Sequence, residues 1–237
     1  MPKPSDGHAY PTCPQCPIFN SCKVRVGLSP AKWDACRPYQ LLCMYQQIAQ
    51  IPQHLQNWSL NTYDSDLKSA KNFAKYALGK IGSIENVFLH GNAGSGKTTL
   101  ACATLTEYMI DQLRNHPESV KQPNLGIFIN GNEFFAQLKL TMYTPEFADL
   151  ESTVKTAPLL VFDDITALRF SEFATDVLYR IFDHRLSNGL PTIVTSNFSP
   201  EEFRRKVDEY LASRVLAGSL KVNVNGRDLR AGGIDFE

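Results

Sequence analysis

A glycine-rich segment at residues 91–98, with the sequence GNAGSGKT, carries the residue types that most directly suggest chemistry. It follows an apolar run at residues 86–90 and precedes a helical pattern that begins at Lys97. Glycines let backbone N–H groups curl around phosphate oxygens, a lysine brings positive charge to the outer phosphates, and a threonine hydroxyl binds Mg²⁺. The segment predicts a nucleoside triphosphate site, and a plain strand-to-helix turn is the alternative when the motif stands alone. The predicted nucleotide contacts are Gly91, Asn92, Ala93, Gly94, Ser95, Gly96, Lys97, Thr98 and Thr99.

Two carboxylates end a second buried-strand pattern, at residues 159–163. Asp163 is expected to hold Mg²⁺ together with Thr98, and Asp164 to orient and deprotonate the attacking water. Taken alone, two acids after a strand are more typical of a turn or a helix cap. Together with residues 91–98 they predict the second half of a site for phosphoryl transfer.

The composition indicates a globular protein without an overall electrostatic preference. The 237 residues are 43% hydrophobic, which suffices for the core of one full domain and a small appendage. Basic and acidic residues number 24 each, so any contact with nucleic acid needs a local patch or assembled subunits. The amino end lacks an apolar targeting segment, and no apolar run approaches the roughly 18 residues of a membrane span. We therefore expect a cytosolic protein with no membrane partner.

Cysteines are concentrated at the amino end, where five of the six lie within the first 43 residues. In a reducing compartment this clustering favours metal binding over disulfides. Cys13 and Cys16 form a chelating C-x₂-C pair, and Cys22 with Cys36 completes a tetrahedral set. Zinc is the first expectation, and an iron–sulfur cluster is the alternative because it uses the same ligands. Reserve ligands are His8, Cys43 and His54, whereas Cys102 is expected to pack in the core.

Strand-like and helical patterns alternate after the amino-terminal segment, which predicts an α/β fold with a five-stranded parallel sheet. The expected strands are at residues 86–90, 125–130, 159–163, 191–196 and 220–224. The helix before the first strand is expected to stop at Gly79 and Gly82. A capping box at Ser199 predicts a helix immediately after the fourth strand.

We divide the chain into a cysteine-rich metal-binding module at residues 1–58 and a larger domain at residues 59–237. The module contains one clear helix, at residues 38–50, whose apolar face includes Leu41, Leu42 and Tyr45. That face is expected to cover the metal site, and docking of a partner is the alternative.

Two polar residues after the fourth strand are further candidates. Asn197 can touch the outermost phosphate or its water if the fourth strand neighbours the strand of Asp163, and loop capping is the alternative. Arg214 lies on an otherwise apolar helix. An arginine that reaches the phosphate site of a neighbouring subunit neutralises transition-state charge, whereas a surface arginine is the ordinary alternative.

The order of these motifs resembles the AAA+ ATPases of the DnaC and DnaI type, which load replicative helicases in bacteria and phages. The similarity covers about residues 59–230 and rests on segments 91–98, 159–164, 190–202, 211–215 and 225–230. It implies a three-layer P-loop domain that binds ATP and Mg²⁺, self-associates through the ATP site, contacts single-stranded DNA and binds a hexameric helicase. IstB-type transposition helpers share these motifs, and an ATP-switched helicase regulator with little turnover is a third reading.

The resemblance also implies roles for individual residues. Lys97 and Thr98 match the phosphate and Mg²⁺ ligands, Asp163 the metal-binding acid and Asp164 the catalytic base. Asp164 is shorter than the glutamate of many relatives, so we expect slow hydrolysis. The residues matched to phosphate sensing and to the arginine finger are Asn197, Arg214 and, as a second sensor, Arg230.

Three further expectations come with the resemblance. The chain ends soon after the fifth strand, so no full helical lid is expected. The cysteine-rich module resembles the helicase-binding domain of DnaI-type loaders, with Leu41, Leu42 and Tyr45 as candidate contacts. Contacts with single-stranded DNA are expected from the insertion between the second and third strands, which includes Lys139, Tyr143 and Lys155.

Overall fold

The structure is a computed structural model that describes residues 37–58, 60, 68–116, 121–141, 144–167 and 172–226. Several predicted site residues lie outside these ranges, and the predictions on them stay predictions: Cys13, Cys16, Cys22, Cys36, Tyr143 and Arg230. Among the described helices, none combines the length and the apolar character that a bilayer crossing requires.

Five parallel strands form one sheet in the order β2-β3-β4-β1-β5. The strands are β1 (Val87–His90), β2 (Ile127–Asn130), β3 (Leu160–Asp163), β4 (Thr192–Ser196) and β5 (Leu220–Asn223). All five predicted strands are confirmed, with small shifts at their ends. Strand β4 pairs with both β1 and β3, so the carboxyl ends of these three strands meet at one edge of the sheet.

Helices cover both faces of the sheet, which gives the predicted three-layer arrangement. The helices are α1 (Arg37–Ile48), α2 (Lys68–Lys80), α3 (Lys97–Asn115), α4 (Gly131–Thr141), α5 (Pro145–Thr156), α6 (Glu172–Ser187), α7 (Pro200–Lys206) and α8 (Glu209–Leu216). Successive strand residues alternate between two cores. Val87 and Leu89 pack with α1, α2 and α3, whereas Phe88 packs with α4, α6 and α8.

Local signals placed most helix ends correctly. Ser199 Oγ accepts from the Glu202 backbone N–H at 3.2 Å, and Glu202 Oε2 accepts from the Ser199 N–H at 2.8 Å, which confirms the capping box. The predicted stop at Gly79 is wrong, because α2 continues to Lys80. Gly82 lies in the short 3₁₀ helix Ile81–Ser83 that follows.

Helix α1 packs directly on the sheet domain. Leu42 and Tyr45 are each 1% exposed and belong to the same core as α3. The Tyr45 hydroxyl donates to the Gln122 carbonyl at 3.2 Å, and the Ala49 carbonyl accepts from the Phe128 N–H at 2.7 Å. The expectation that Leu42 and Tyr45 contact a helicase is therefore wrong, because the domain core covers both. Leu41 on the same face is half-buried, and the expectation that this face covers a metal site stays a prediction, because the four cysteines lie outside the described residues. The division at residue 58 itself stays a prediction.

A buried arginine ties α5 to the sheet. Arg185 is 1% exposed, and burial lowers its pKa to about 9. Its guanidinium donates to oxygens that all lie at the end of α5 or the start of β4: the carbonyls of Val154, Lys155, Ala157 and Pro191 and the hydroxyl of Thr192. The cation satisfies carbonyl groups that a helix leaves unpaired at its carboxyl end.

We expect Arg185→Met to destabilise the fold strongly. Four carbonyl oxygens lose a donor, and a stranded buried acceptor costs about 1–3 kcal/mol, so the free energy of unfolding should fall by at least ~3 kcal/mol. Denaturant unfolding followed by circular dichroism measures this change. The matched control is Arg204→Met on exposed α7, which should stay within about 0.5 kcal/mol of the wild type. If Arg185→Met also changes the free energy of unfolding by about 0.5 kcal/mol or less, Arg185 does not stabilise the contact between α5 and the sheet.

Candidate active site

The phosphate loop connects β1 to α3 and depends on its glycines. A Cβ added to Gly91 would lie 2.5 Å from the Val224 carbonyl oxygen, so only glycine permits this close approach. Gly94 and Gly96 have φ angles of 73° and 90°, in the left-handed region. Gly96 caps α3 without a side-chain hydrogen bond, which leaves the amides of the first helical turn open to an anion.

Lys97 lies folded over this loop. It is largely buried, and its Nζ donates to the carbonyls of Gly91 at 2.8 Å and Asn92 at 2.7 Å. Asn92 is also tied to the segment after β5, because its N–H donates to Asn225 Oδ1 at 2.7 Å. The Asn92 side chain exchanges two further hydrogen bonds with the Gly226 backbone. The ammonium is therefore held close to the position that a triphosphate would occupy.

Asp163 joins the phosphate loop to two strands. Its Oδ1 accepts from Thr98 Oγ1 at 2.8 Å and from Thr195 Oγ1 at 2.7 Å. The carboxyl group is buried, and this burial raises its pKa, while the two hydroxyl hydrogen bonds act in the opposite direction. A threonine hydroxyl beside a carboxylate is the hard oxygen set that suits Mg²⁺. The residues present therefore fit a magnesium site.

Asp164 is held in an unusual backbone conformation at the end of β3, with φ at 53°. Its N–H donates to Thr195 Oγ1 at 2.8 Å. Its Oδ1 accepts from Thr166 Oγ1 at 3.1 Å and from Asn197 Nδ2 at 3.2 Å, and the Asn197 N–H donates to Thr166 Oγ1 at 3.1 Å. The Asn197 prediction required the fourth strand to lie beside the strand of Asp163. Because β3 pairs with β4, the structure meets this requirement and brings Asp164 and Asn197 together.

These groups surround a polar cavity of about 360 Å³, a size within the range of small-molecule sites. Its wall contains the loop from Ala93 to Thr99, both acids and Asn197, but neither Gly91 nor Asn92. Ser95 Oγ in this wall is buried and has no hydrogen-bond partner among the described residues. An unpaired hydroxyl and uncapped helix amides are groups that phosphate oxygens satisfy, so the cavity fits a nucleotide phosphate chain.

Sequence reasoning missed three polar residues of this site. Thr195 connects Asp163 to Asp164, and Thr166 connects Asp164 to Asn197. Asn130, at the end of β2, also lines the cavity, and its Oδ1 accepts from the first backbone N–H groups of α4. A signal existed for Thr195 and Asn130, because both lie at carboxyl ends of predicted strands, where ligands of parallel sheets bind. Thr166 lies in a short 3₁₀ helix without such a signal.

Other predicted residues lie away from the cavity. Arg214 on α8 is absent from the cavity wall and pairs with Asp183, whose Oδ1 accepts from Arg214 Nε at 2.6 Å. Lys139 is exposed, and Lys155 forms an ion pair with Glu151 at 2.6 Å. Within the described ranges, no cluster of histidine, cysteine and acidic residues could hold a metal ion.

The prediction for Cys102 is confirmed. The side chain is fully buried in the core beside α1 and α2. Burial raises the pKa of its thiol, so it stays protonated and unreactive. Cys102 is therefore a packing residue.

Comparisons with known proteins agree with this geometry. A model of the family described as IstB-like ATP binding protein matches residues 21–231. The replicative helicase loader DnaI of Bacillus subtilis (strain 168) is 29% identical over 126 residues, which are 53% of this chain and 37% of that protein. The crystal structure of DnaI has a TM-score of 0.62 and 21% identity, over 73% of this chain and 94% of that one. The crystal structure of the DnaC helicase loader has a TM-score of 0.61 and 21% identity, over 73% and 99%.

These findings confirm the resemblance to DnaC-type and DnaI-type loaders and to IstB-like relatives. The two crystal structures show that the described residues share their fold. The chain spans little more than a third of the length of the curated DnaI relative. The similarity therefore shows a shared fold and not the activity of the whole DnaI protein.

We expect Asp163→Asn to stabilise the free protein and to weaken nucleotide binding. The amide keeps an oxygen for Thr98 and Thr195 but removes a buried charge, whose burial is unfavourable. The thermal midpoint without ligand should rise, and affinity for Mg·ATP should fall at least tenfold, or about 1.4 kcal/mol. Thermal shift and calorimetric titration measure both quantities. The control Asp149→Asn on the exposed side of α5 should change neither quantity. If Asp163→Asn binds Mg·ATP with unaltered affinity, Asp163 is not part of the nucleotide site.

Proposed function

Since the chain belongs to the family of IstB-like ATP-binding proteins, we propose that it is an ATPase that places a replicative hexameric helicase on single-stranded DNA. One observation carries the ATPase part. Thr98, Asp163, Asp164 and Asn197 meet beside a glycine-rich phosphate loop, in one hydrogen-bonded set at the end of the sheet. Phosphoryl transfer needs this combination of phosphate, metal and water ligands.

The phosphate loop and α3 bind the triphosphate of ATP. Lys97 exchanges its two carbonyl partners, Gly91 and Asn92, for oxygens of the outer phosphates. Thr98 and Asp163 would hold Mg²⁺, which would neutralise charge on the outer phosphates. Residues from Ala93 to Thr99 orient the chain of phosphates through backbone N–H groups.

Asp164 is the general base in this proposal. Its carboxylate takes a proton from the water that attacks the outermost phosphate. The hydrogen bonds from Asn197 and Thr166 hold the Asp164 carboxylate in position for this step. Asn197 also senses that phosphate through its amide. The short Asp164 side chain reaches less far than a glutamate, which agrees with slow turnover that assembly or DNA accelerates.

The choice of a helicase as partner rests on the similarity to a replicative helicase loader and on the shared fold of DnaI and DnaC. In this proposal residues 1–58 bind the helicase, and Cys13, Cys16, Cys22 and Cys36 hold Zn²⁺ or, as the alternative, an iron–sulfur cluster. Leu42 and Tyr45 are buried, so helix α1 offers only its outer face to a partner, where Met44 and Ile48 are exposed.

Single-stranded DNA contacts and self-association complete the proposal. Lys139 on α4 is exposed, and its neighbour Leu140 is 83% exposed, which suits a surface that contacts nucleic acid in an assembly. Arg214 acts on the cavity of an adjoining copy, and Arg230 serves as the second sensor that the resemblance implies. We place this activity in the cytosol.

A second candidate function is that of a transposition helper, because the matching family model is described as IstB-like. The two functions use the same ATP site and differ in their partner, a transposase in place of a helicase. A third candidate, an ATP-switched regulator, binds nucleotide without useful turnover.

Substitutions in the cavity separate ATP hydrolysis from ATP binding. We expect Asp164→Ala to lower kcat by about 100-fold or more, since a general base contributes 10²–10⁴, while ATP affinity stays within a few-fold of wild type. Lys97→Ala should lose both. Steady-state hydrolysis and binding of a fluorescent ATP analogue measure these effects. If Asp164→Ala still supports helicase loading and Lys97→Ala does not, the ATP-switched regulator is the correct function.

Affinity capture distinguishes the two partners. With the full chain as bait in an extract of its own host, we expect a hexameric helicase to be retained and to be lost when residues 1–36 are removed, a truncation that leaves α1 in its shared core with α3. The control bait is the full chain with Lys97→Ala, which keeps the amino-terminal module intact. Retention of a transposase in place of a helicase would assign the transposition function.

A further inference from the structure

The side chain of Arg214 is held in a defined position by helix α6. Asp183 Oδ1 accepts from its Nε at 2.6 Å, and the guanidinium carbon lies 5.6 Å from the centre of the Tyr179 ring. Tyr179 and Asp183 are four residues apart on α6, so both point from one face towards α8. The side chains of Arg214 and Asp183 remain 36% and 40% exposed. This pair therefore lies at the surface, and contacts with Asp183 and Tyr179 orient the guanidinium.

The described wall of the phosphate cavity contains one cation. Among the described residues that line it, Lys97 is the only basic side chain. A triphosphate adds several negative charges, which increase on the transferred group in the transition state. Arg214 is outside this wall. A second copy of this chain offers Arg214 as a further cation for the cavity.

We propose that Asp183 and Tyr179 are positioning residues that aim Arg214 into the phosphate cavity of a second copy. This inference rests on the proposed trans role of Arg214. An arginine carries five N–H donors. Arg214 donates through Nε to Asp183 and through Nη2 to the Tyr179 hydroxyl at 3.5 Å, which leaves the Nη1 donors for phosphate oxygens. The Tyr179 ring supports the guanidinium from one side. A side chain that is already oriented loses less conformational freedom when the copies meet.

Helix α8 also carries an apolar contact for the second copy. Tyr210 lies one helical turn before Arg214 and is 72% exposed, the largest exposure of any aromatic side chain among the described residues. Tyrosine is enriched in protein interfaces because it buries a large ring and keeps a polar end. Tyr210 and Arg214 thus present an apolar anchor and a cation on the same side of α8.

The test uses complementation between two inactive full-length variants. Arg214→Ala has an intact cavity and lacks the arginine, and Lys97→Ala has a damaged cavity and keeps the arginine. Mixing them should restore ATP hydrolysis at least tenfold above either variant alone. The second mixture replaces Lys97→Ala by the double variant Lys97→Ala/Asp183→Asn, and here the recovery should fall about tenfold. Asp183→Glu in the same background should recover most of it.

The controls separate aiming from folding. Asp183→Asn alone should lower kcat about tenfold and leave the KM for ATP unchanged, because its own cavity is intact. The control Arg180→Gln changes the residue next to Tyr179 on α6. Arg180 forms an ion pair with Glu151 at 3.0 Å, whereas Asp183 is the ion-pair partner of Arg214, so this variant should leave kcat unchanged. Tyr179→Leu, checked with circular dichroism, should reproduce the kcat defect if Asp183→Asn does not fold.

Each outcome decides one part of the hypothesis. If Arg214→Ala hydrolyses ATP as the wild type does, the trans role of Arg214 fails, and this inference fails with it. If Arg214→Ala is inactive but the mixture with Lys97→Ala/Asp183→Asn recovers fully, Asp183 does not position the arginine, and the proposed function stands. Unchanged kcat in both Asp183→Asn and Tyr179→Leu would likewise overturn the positioning role and leave the proposed function intact.

Discussion

The hydrogen bonds that Asp163 accepts from Thr98 and Thr195 connect the two halves of the active site. One hydroxyl comes from the first turn of α3 and the other from β4, so a single carboxylate oxygen links the phosphate loop to the centre of the sheet. This geometry requires β4 to lie between β1 and β3.

The buried carboxylate of Asp163 destabilises the protein when no ligand is bound. Burial raises the pKa of Asp163, and the two hydroxyl groups compensate only in part. Lys97 is similarly buried and donates to carbonyls of its own loop. The cavity therefore holds two largely buried charges, and Mg²⁺ with a triphosphate would add charged partners for both. Binding and folding are coupled at this point.

The predictions that succeeded used local patterns. Five strands, the capping box at Ser199 and the phosphate loop follow from residues that are neighbours in sequence. The errors concern packing between distant segments. The apolar face of α1 was correctly identified, but Leu42 and Tyr45 pack in the same core as α3 and are not helicase contacts, because a hydrophobic face does not specify what covers it. Gly79 did not stop α2, since glycine weakens a helix without ending it.

The sequence by itself determined the phosphate loop, because such a loop needs glycines, a lysine and a threonine at fixed spacing within one short segment, and these are visible in the chain. Only the tertiary structure decided which hydroxyls and amides surround the two acids. Thr195, Thr166 and Asn130 reach the cavity through the pairing of parallel strands. It also decided that Arg214 rests on α6, away from its own cavity. Such contacts join residues far apart in the chain, and no local spacing records them.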